Sequence, residues 1–237
     1  YGIAVESAND ACIAVAEYIS GSEEEFVKLM NKRAKELGAY DSSFVNTNGL
    51  PAPGHVTSAY DMALISRELL KHEKIFDFIS KYMIKVYVGK KNNVLRELVN
   101  KNKMLRFYND VDGIKTGWTE DAGYCISVTA KRNNLRLISV VMGSPKVEIR
   151  NKEARKLIDY GFANFNSVLV IKKDGKIQEV RVSKGNHLKV NAVADRDISI
   201  LLNKGEEKNI KKIAELPDVL NAPITKGEKI GELVVYI

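Results

Sequence analysis

Cysteine and histidine are scarce in this sequence. Among 237 residues there are two cysteines, Cys12 and Cys125, each inside an apolar segment, and three histidines that lie far apart. Two cysteines cannot form a disulfide framework, and the histidines lack the cysteine or carboxylate spacing of a metal site. We therefore expect two buried free thiols, no metal or other cofactor, and surface positions for the histidines, His55, His72 and His187.

Long hydrophobic runs are absent as well. No stretch approaches the ~18 consecutive apolar residues of a membrane-spanning helix, and there is no leader with a basic start and an apolar centre. The sequence opens at Tyr1 inside an apolar stretch and stops inside the strand-like run 233–237. We therefore expect a piece of a longer protein, in which any export signal or membrane anchor lies outside this sequence.

Acidic residues are the minority among the charged ones. There are 30 Asp and Glu against 37 Lys and Arg, which gives a formal net charge of +7. A basic surface attracts anions, but the same charge also keeps a protein soluble. The basic residues form only short pairs such as Lys131-Arg132, without the interleaved aromatics of nucleic-acid-binding motifs. We interpret the charge mainly as a solubility feature and expect no nucleic acid partner.

Helix signals fill the first third of the chain. Residues 10–19 are almost all apolar, which predicts a helix that is buried on all sides. A capping box predicts a second helix from Ser22, and a similar cap predicts a third from about Ser58. Between these two, residues 41–57 are rich in Asn, Gly and Pro, which predicts one long surface loop.

Strand signals dominate the remainder. Residues 123–131 and 135–142 are separated by a tight connection, which predicts an antiparallel hairpin whose first strand begins near Gly113. Residues 147–165 carry a helical apolar stripe and are expected to pack on the sheet. After them, short alternating runs separated by glycine-containing turns predict a small antiparallel β domain, which we place at residues 166–237.

Two short motifs carry the chemistry. Lys115-Thr116-Gly117 lies at the head of a predicted strand, and Ser7-Ala8-Asn9 lies at the head of the apolar helix. The K-T-G and S-x-N patterns accompany an S-x-x-K nucleophile motif in β-lactamases and penicillin-binding proteins. Since a tripeptide recurs by chance, the residues around both motifs decide whether the match has meaning.

Those surrounding residues resemble the low-molecular-mass D-Ala-D-Ala carboxypeptidases. The resemblance covers about residues 1–165 and is carried by independent segments at 7–12, 59–63, 111–119 and 122–124; residues 226–231 also resemble the family's second domain. It implies an α+β fold, with a β-lactamase/transpeptidase-like antiparallel sheet flanked by helices. Residues 1–165 would form a catalytic domain without its N-terminal part, and residues 166–237 a small all-β domain.

The resemblance also implies catalytic roles for three residues. Ser7 would relay a proton to the leaving D-alanine, and Asn9 would hold the amide of the substrate. Lys115 would supply a fixed positive charge that keeps neighbouring amines ready for proton transfer and attracts the substrate carboxylate. The alternatives are that Ser7 and Asn9 cap the helix that follows and that Lys115 is a solvated lysine at a strand end.

Four more residues would bind the substrate. Thr116 would hydrogen-bond its carboxylate, Gly117 would leave room for the peptide along the strand edge, and Trp118 would donate its backbone N–H to the oxyanion hole. Arg150 would make a second carboxylate contact. The alternatives are that Trp118 is a surface aromatic and that Arg150 is an exposed helix arginine.

One expected element is missing. No serine in the sequence has a lysine three residues later, so the S-x-x-K nucleophile motif is absent. The loop from Ser42 to Tyr60 also lacks the Asp or Glu that a class A β-lactamase needs there to activate the deacylating water. We therefore expect this chain alone to be inactive, and β-lactam acylation of the complete protein to be long-lived.

The resemblance implies an exported parent protein with a defined activity. It would be a serine carboxypeptidase that removes the terminal D-alanine of peptidoglycan stem peptides through an acyl-enzyme, with β-lactam antibiotics as covalent inhibitors. A missing N-terminal segment would supply the nucleophile. A C-terminal anchor beyond Ile237 would hold the protein to the outer face of the cytoplasmic membrane. The alternatives are a related β-lactamase or endopeptidase and a non-catalytic wall-peptide-binding scaffold.

Overall fold

The computed structural model describes residues 1–89 and 91–237. The chain divides into two compact units, the first formed by residues 1–132 and 136–161 and the second by residues 133–135 and 162–237. The domain boundary that we placed at residue 165 stays a prediction.

Helices open the first unit, and their starts follow the sequence signals. The Ser22 hydroxyl accepts the Glu25 N–H and the Ser58 hydroxyl accepts the Asp61 N–H, each at the start of a helix. Caps of this kind contribute about 1 kcal/mol each. Both predicted helix starts are confirmed. A π-helix at Gly2–Glu6 comes first, followed by α1 (Asn9–Ser20), α2 (Glu23–Glu36), α3 (Ala59–Leu69), α4 (Phe76–Ile79), α5 (Met104–Phe107) and α6 (Val147–Asn164).

The prediction that α1 is buried on all sides is wrong. Within the described chain Ala16 is its only fully buried residue, whereas Tyr18 is 91% exposed and Ile19 58%. The helix packs mainly against α2 and the π-helix. These neighbours cover one side of it. None of the described helices is both long and apolar enough to cross a membrane.

The loop between α2 and α3 agrees with its prediction. Residues 41–57 hold no helix or strand in the described chain, and one isolated bridge joins Ser43 to Val56. Side-chain hydrogen bonds shape the turn instead. The Asn46 side chain donates to Leu50 O at 2.8 Å and accepts the Gly49 N–H at 2.8 Å.

A sheet of three strands positions the K-T-G motif. Strands β3 (Val111–Thr119), β4 (Gly123–Arg132) and β5 (Leu135–Ser144) follow one another across this sheet, so the predicted hairpin is confirmed. Its first strand does not begin near Gly113, because a turn at residues 120–122 separates β3 from β4. β3 is an edge strand of the described sheet. Before it the chain forms a hairpin of β1 (Met83–Val88) and β2 (Val94–Val99), which the sequence signals did not indicate.

Helix α6 packs tightly on this sheet, as predicted. A Cβ atom added at Gly161 would lie only 2.5 Å from Leu137 Cδ1 of β5, so the helix backbone approaches the strand closely. Ala154 and Ile158 of α6 are buried, and so are the inward residues of β4, Ile126 and Val128. This apolar layer is the core beneath the K-T-G strand.

An arginine ties the strands together near the start of β3. Arg136 of β5 donates two hydrogen bonds to Asp112 of β3, at 2.7 and 2.8 Å, and one to Thr129 of β4 at 2.9 Å. Its guanidinium also lies 4.4 Å from the centre of the Phe76 ring. A bidentate, half-buried pair of this kind is stronger than an exposed one, so it fixes β3 three residues before Lys115.

The second unit is built of short strands. They are β6 (Phe165–Ile171), β7 (Lys176–Ser183), β8 (Lys189–Val193), β9 (Ile198–Asn203), β10 (Lys211–Glu215), β11 (Val219–Asn221) and β12 (Glu232–Tyr236). β6 pairs with β9, β7 with β8 and β10 with β12, all antiparallel. β11 pairs with β7 in parallel. The predicted all-antiparallel arrangement is therefore wrong for that one pair.

Candidate active site

The structure brings Ser7 and Lys115 together from positions 108 residues apart. Ser7 ends the π-helix, and Lys115 projects from β3 so that its Nζ donates to Ser7 Oγ at 2.8 Å. The same ammonium donates to the backbone oxygen of Thr116 at 2.9 Å. Ser7 has φ 62° and ψ 43°, a left-handed conformation that costs a non-glycine residue on the order of 1 kcal/mol. Such strain is concentrated at functional sites.

The Lys115 ammonium is a partly buried cation with little access to water. Burial lowers the pKa of its ammonium to about 8, and the positive charges of Lys101 and Arg150 add to this effect, while Cys12 opposes it. At neutral pH the lysine therefore keeps its charge, but it lies close to losing its proton. A group in this state can attract an anion and take part in proton transfer.

The helix-cap interpretation of Ser7 and Asn9 is wrong. The N-cap of α1 is Ala8, which has no capping side chain, and Asn9 is the first helical residue. The Ser7 hydroxyl meets Lys115 instead. The Asn9 side chain is exposed and makes no hydrogen bond to the other predicted site residues in the described chain. Its role in holding the substrate amide stays a prediction.

The edge of β3 beyond Lys115 is open. A Cβ atom added at Gly117 would meet no atom of the described chain within 4 Å, and the backbone there does not require glycine. Thr116 is half-buried, and Trp118 is 59% exposed with its ring 5.9 Å from that of Tyr124. The Trp118 side chain is thus a surface aromatic, and the oxyanion role of its backbone N–H stays a prediction.

Arg150 is buried, which contradicts the exposed-arginine alternative. Its relative exposure is 3%, and burial lowers the pKa of its guanidinium. It donates to Asn151 Oδ1 from Nε at 3.0 Å and from Nη2 at 2.9 Å, and to the backbone oxygen of Cys125 at 3.4 Å. Cys125 pairs with Gly117 in the sheet, so Arg150 lies near the K-T-G end of β3. Among the described residues it has no carboxylate partner.

Sequence reasoning missed a buried asparagine behind the K-T-G strand. Asn102 is 0% exposed and donates to the backbone oxygen of Gly113 at 3.2 Å. Its Oδ1 accepts the Met104 N–H, and its own N–H donates to Asn100 Oδ1. These bonds anchor the loop that carries Lys101. The only signal was the pair of asparagines around that lysine, and asparagine is usually a surface residue.

Both cysteines are free but only partly buried, which corrects the prediction of two buried thiols. Burial raises the pKa of the Cys12 thiol, whereas the charge of Lys115 lowers it, so this cysteine borders the site. The Cys125 thiol donates to the backbone oxygen of Ala122 at 3.4 Å. In the described part of the chain, His, Cys, Asp and Glu side chains nowhere gather in the groups of three that could hold a metal ion.

Two family profiles together match most of the chain. The D-alanyl-D-alanine carboxypeptidase family profile matches residues 1–146, and that of the penicillin-binding protein 5 C-terminal domain matches residues 165–237. The D-alanyl-D-alanine carboxypeptidase DacF of Bacillus subtilis is 44% identical over 235 residues, which are 99% of this chain and 60% of the relative.

Solved structures agree with these matches. Penicillin-binding protein 5 from Haemophilus influenzae superposes with a TM-score of 0.77 at 35% identity, covering 100% of this chain and 68% of that chain. Penicillin-binding protein D2 from Listeria monocytogenes, in a cefotaxime-bound form, gives a TM-score of 0.60 at 33% identity and covers 68% of this chain and 64% of that one.

These matches confirm the predicted fold class, an antiparallel sheet with helices followed by a β-rich unit. The chain spans about 60% of the length of the curated relative from Bacillus subtilis. Its K-T-G and S-x-N residues meet through the contact of Lys115 with Ser7. The chain belongs to the family of D-alanyl-D-alanine carboxypeptidases among the low-molecular-mass penicillin-binding proteins.

Proposed function

We propose that the complete protein is a serine carboxypeptidase that removes the terminal D-alanine from peptidoglycan stem peptides. The observation that carries this proposal is the 2.8 Å contact between Lys115 Nζ and Ser7 Oγ, beside the buried guanidinium of Arg150. One hydroxyl for proton relay and two cations for a carboxylate are among the groups that cleavage next to a peptide's C-terminus requires, together with a nucleophile and an oxyanion donor.

The reaction would proceed in two balanced steps. A serine hydroxyl supplied by a segment outside this chain attacks the carbonyl of the penultimate residue and forms an ester, while the peptide C–N bond breaks. The lysine base of that segment takes the proton of the attacking hydroxyl and passes it to Ser7, which is held by Lys115 and gives up its own proton to the departing amine of D-alanine. Water then attacks the ester, releases the shortened peptide and returns the proton to the serine. The missing segment would carry that serine and its lysine base.

The substrate would be held along the edge of β3. The hydroxyl of Thr116 and the charges of Lys115 and Arg150 would bind the terminal carboxylate. The space beside Gly117 would accept the peptide backbone, and the Trp118 N–H would donate to the oxyanion of the tetrahedral intermediate. Asn9, exposed on the first turn of α1, would hold the amide of the peptide.

A fluorescent penicillin tests the division between this chain and the missing segment. We expect the purified chain to carry no label after denaturation, because it contains no S-x-x-K serine. The complete protein should be labelled and should release D-alanine from an acyl-D-Ala-D-Ala peptide. A label that stays covalently attached to the isolated chain would overturn the assignment of the nucleophile to another segment.

We further propose that β-lactams inhibit the complete enzyme by slow deacylation. The related Listeria monocytogenes protein was crystallised in a cefotaxime-bound form. The loop between Ser42 and Tyr60 offers no carboxylate to activate a deacylating water. The acyl-enzyme should therefore persist, whereas rapid turnover of nitrocefin by the complete protein would favour the β-lactamase alternative.

A second candidate is a scaffold that binds wall peptides without cleaving them. The residues that precede Tyr1 in the complete protein decide between the two, because an S-x-x-K there indicates an enzyme. Assays with peptides that contain internal or terminal D-alanyl bonds distinguish an endopeptidase, which cleaves the internal bond, from a carboxypeptidase. For each activity we place the protein outside the cytoplasm, at the outer face of the cytoplasmic membrane.

A further inference from the structure

We propose that Asn151 is a positioning residue that aims Arg150 at the terminal carboxylate of the peptide and, being neutral, adds no negative charge beside the arginine. This inference rests on the proposed function, and it concerns how the site distinguishes a free carboxylate from an uncharged chain end.

Asn151 fixes one edge of the planar guanidinium. Its Oδ1 accepts from Nε at 3.0 Å and from Nη2 at 2.9 Å, so one oxygen holds two nitrogens of Arg150. The third hydrogen bond, from Nη1 to the backbone oxygen of Cys125, is longer at 3.4 Å. A guanidinium has five N–H donors. One donor on Nη1 and one on Nη2 therefore remain, which is the pair that a carboxylate accepts in a bidentate contact.

The neutrality of Asn151 is as important as its geometry. An aspartate in the same place would hold the guanidinium equally well but would cancel its charge. With a neutral amide as the anchor, the guanidinium forms no ion pair among the described residues, and the nearby charge of Glu148 offsets only part of the cost of its burial. A substrate carboxylate would relieve that cost, whereas a carboxamide or an internal peptide bond would not.

The position of Arg150 in its helix gives an independent argument. It lies in the first turn of α6, where the helix dipole disfavours a cation. Burial opposes the charge at the same place. Glu148 in the same turn offsets part of this cost, and an anionic ligand would offset more of it.

Two peptides that differ only at the C-terminus test the inference in the complete enzyme. One ends in D-Ala-D-Ala with a free carboxylate, and the other carries the carboxamide. We expect Asn151→Asp to lower kcat/KM about tenfold or more for the carboxylate peptide, the scale of one charge-assisted hydrogen bond, with little change for the carboxamide. Asn151→Ala should raise KM for the carboxylate peptide more than it lowers kcat. The exposed neighbour Lys152→Ala is the matched control and should leave the ratio between the peptides unchanged.

A second measurement separates the possible failures. In nitrogen-15 spectra of this chain, the Arg150 Nε–H resonance should shift on addition of N-acetyl-D-Ala-D-Ala but not of its amide, and Asn151→Ala should abolish that response. If the complete enzyme turns over neither peptide while this response is present, the proposed function fails and the role of Asn151 is retained. If the wild type prefers the carboxylate peptide and Asn151→Asp keeps that preference, the role of Asn151 is refuted. The role of Asn151 would also be refuted if Lys152→Ala changed the ratio of kcat/KM between the carboxylate and carboxamide peptides.

Discussion

Lys115 combines a positive charge with burial, and this combination makes the stability of the protein depend on pH. The pKa of its ammonium is about 8 in the folded protein and about 10.4 in an unfolded chain. Below pH 8 both states are protonated, so the folded state bears the full cost of the desolvated charge. Between these two pKa values the unfolded chain binds more protons, and stability contributed by this group rises with pH.

Replacement of Lys115 by methionine should remove this pH dependence. We expect the free energy of unfolding of the wild type, relative to Lys115→Met, to rise by about 1–3 kcal/mol between pH 7 and pH 10. Urea unfolding of both proteins across this range measures the difference. The exposed Lys152→Met serves as the control, and its free energy of unfolding should change with pH as that of the wild type does. A constant difference for Lys115→Met would show that burial does not depress the pKa.

The sequence indicated the residues that carry the motifs but not those that support them. Ser7, Lys115 and Arg150 were named by resemblance, while their contacts depend on packing between distant segments. Asn151 escaped notice because neighbouring residues on a helix do not normally face each other. Here the Arg150 side chain folds back onto its neighbour. Asn102 escaped because nothing in a local pattern distinguishes a buried asparagine from a surface one.

At the scale of elements, the edge of β3 contains a glycine, Gly117, that the fold does not require. We expect Gly117→Ala to change the free energy of unfolding by less than about 0.5 kcal/mol, since the added methyl meets no atom of the described chain. The same methyl should obstruct a peptide lying along the strand, and kcat/KM of the complete enzyme for an acyl-D-Ala-D-Ala peptide should fall about tenfold.

Gly113→Ala is the counterpart of this change on the same strand. Its methyl would lie 2.6 Å from Ile79 Cδ1, so this variant should lose about 1–3 kcal/mol of stability. The urea unfolding midpoints of both variants distinguish the loss of stability expected for Gly113→Ala from the loss of activity expected for Gly117→Ala. Unchanged kcat/KM in Gly117→Ala would mean that the peptide does not follow this edge.

Local signals predicted elements well, and burial was predicted less well. The caps at Ser22 and Ser58 act within one turn, so the sequence specifies them directly. The β1–β2 hairpin was missed because residues such as Tyr87 and Leu95 are apolar yet exposed, and a clear alternation is absent. The burial of α1 was overestimated because burial depends on what packs against a helix, and apolar composition alone does not provide that information.

Across the whole molecule, many large apolar side chains are exposed to solvent. Tyr18, Ile19 and Val15 of α1 are exposed, and α2 borders an apolar cavity of about 330 Å³ lined mainly by Phe26, Leu29, Met30, Ala34, Leu37, Phe44 and Ile65. Exposed apolar patches of this kind bind hydrophobic dyes and promote association. The chain should therefore enhance the fluorescence of 8-anilinonaphthalene-1-sulfonate and self-associate in sedimentation experiments.

A charged pair of substitutions tests whether α1 is responsible. Tyr18→Lys combined with Ile19→Lys should reduce dye fluorescence and association at least about twofold without a change in far-UV circular dichroism. Tyr40→Lys, at a position that is 79% exposed outside α1, is the control and should have little effect. Equal effects of the two variants would mean that added charge alone is responsible.

The left-handed backbone at Ser7 has a consequence for any attempt to evolve heat resistance in this protein. Glycine adopts that conformation without penalty, so a selection that rewards thermal survival alone would favour Ser7→Gly. The surviving variants would keep the fold and lose the hydroxyl that Lys115 holds. A library screened for thermal stability alone would thus accumulate inactive variants, unless turnover of a D-alanyl peptide is selected in the same round.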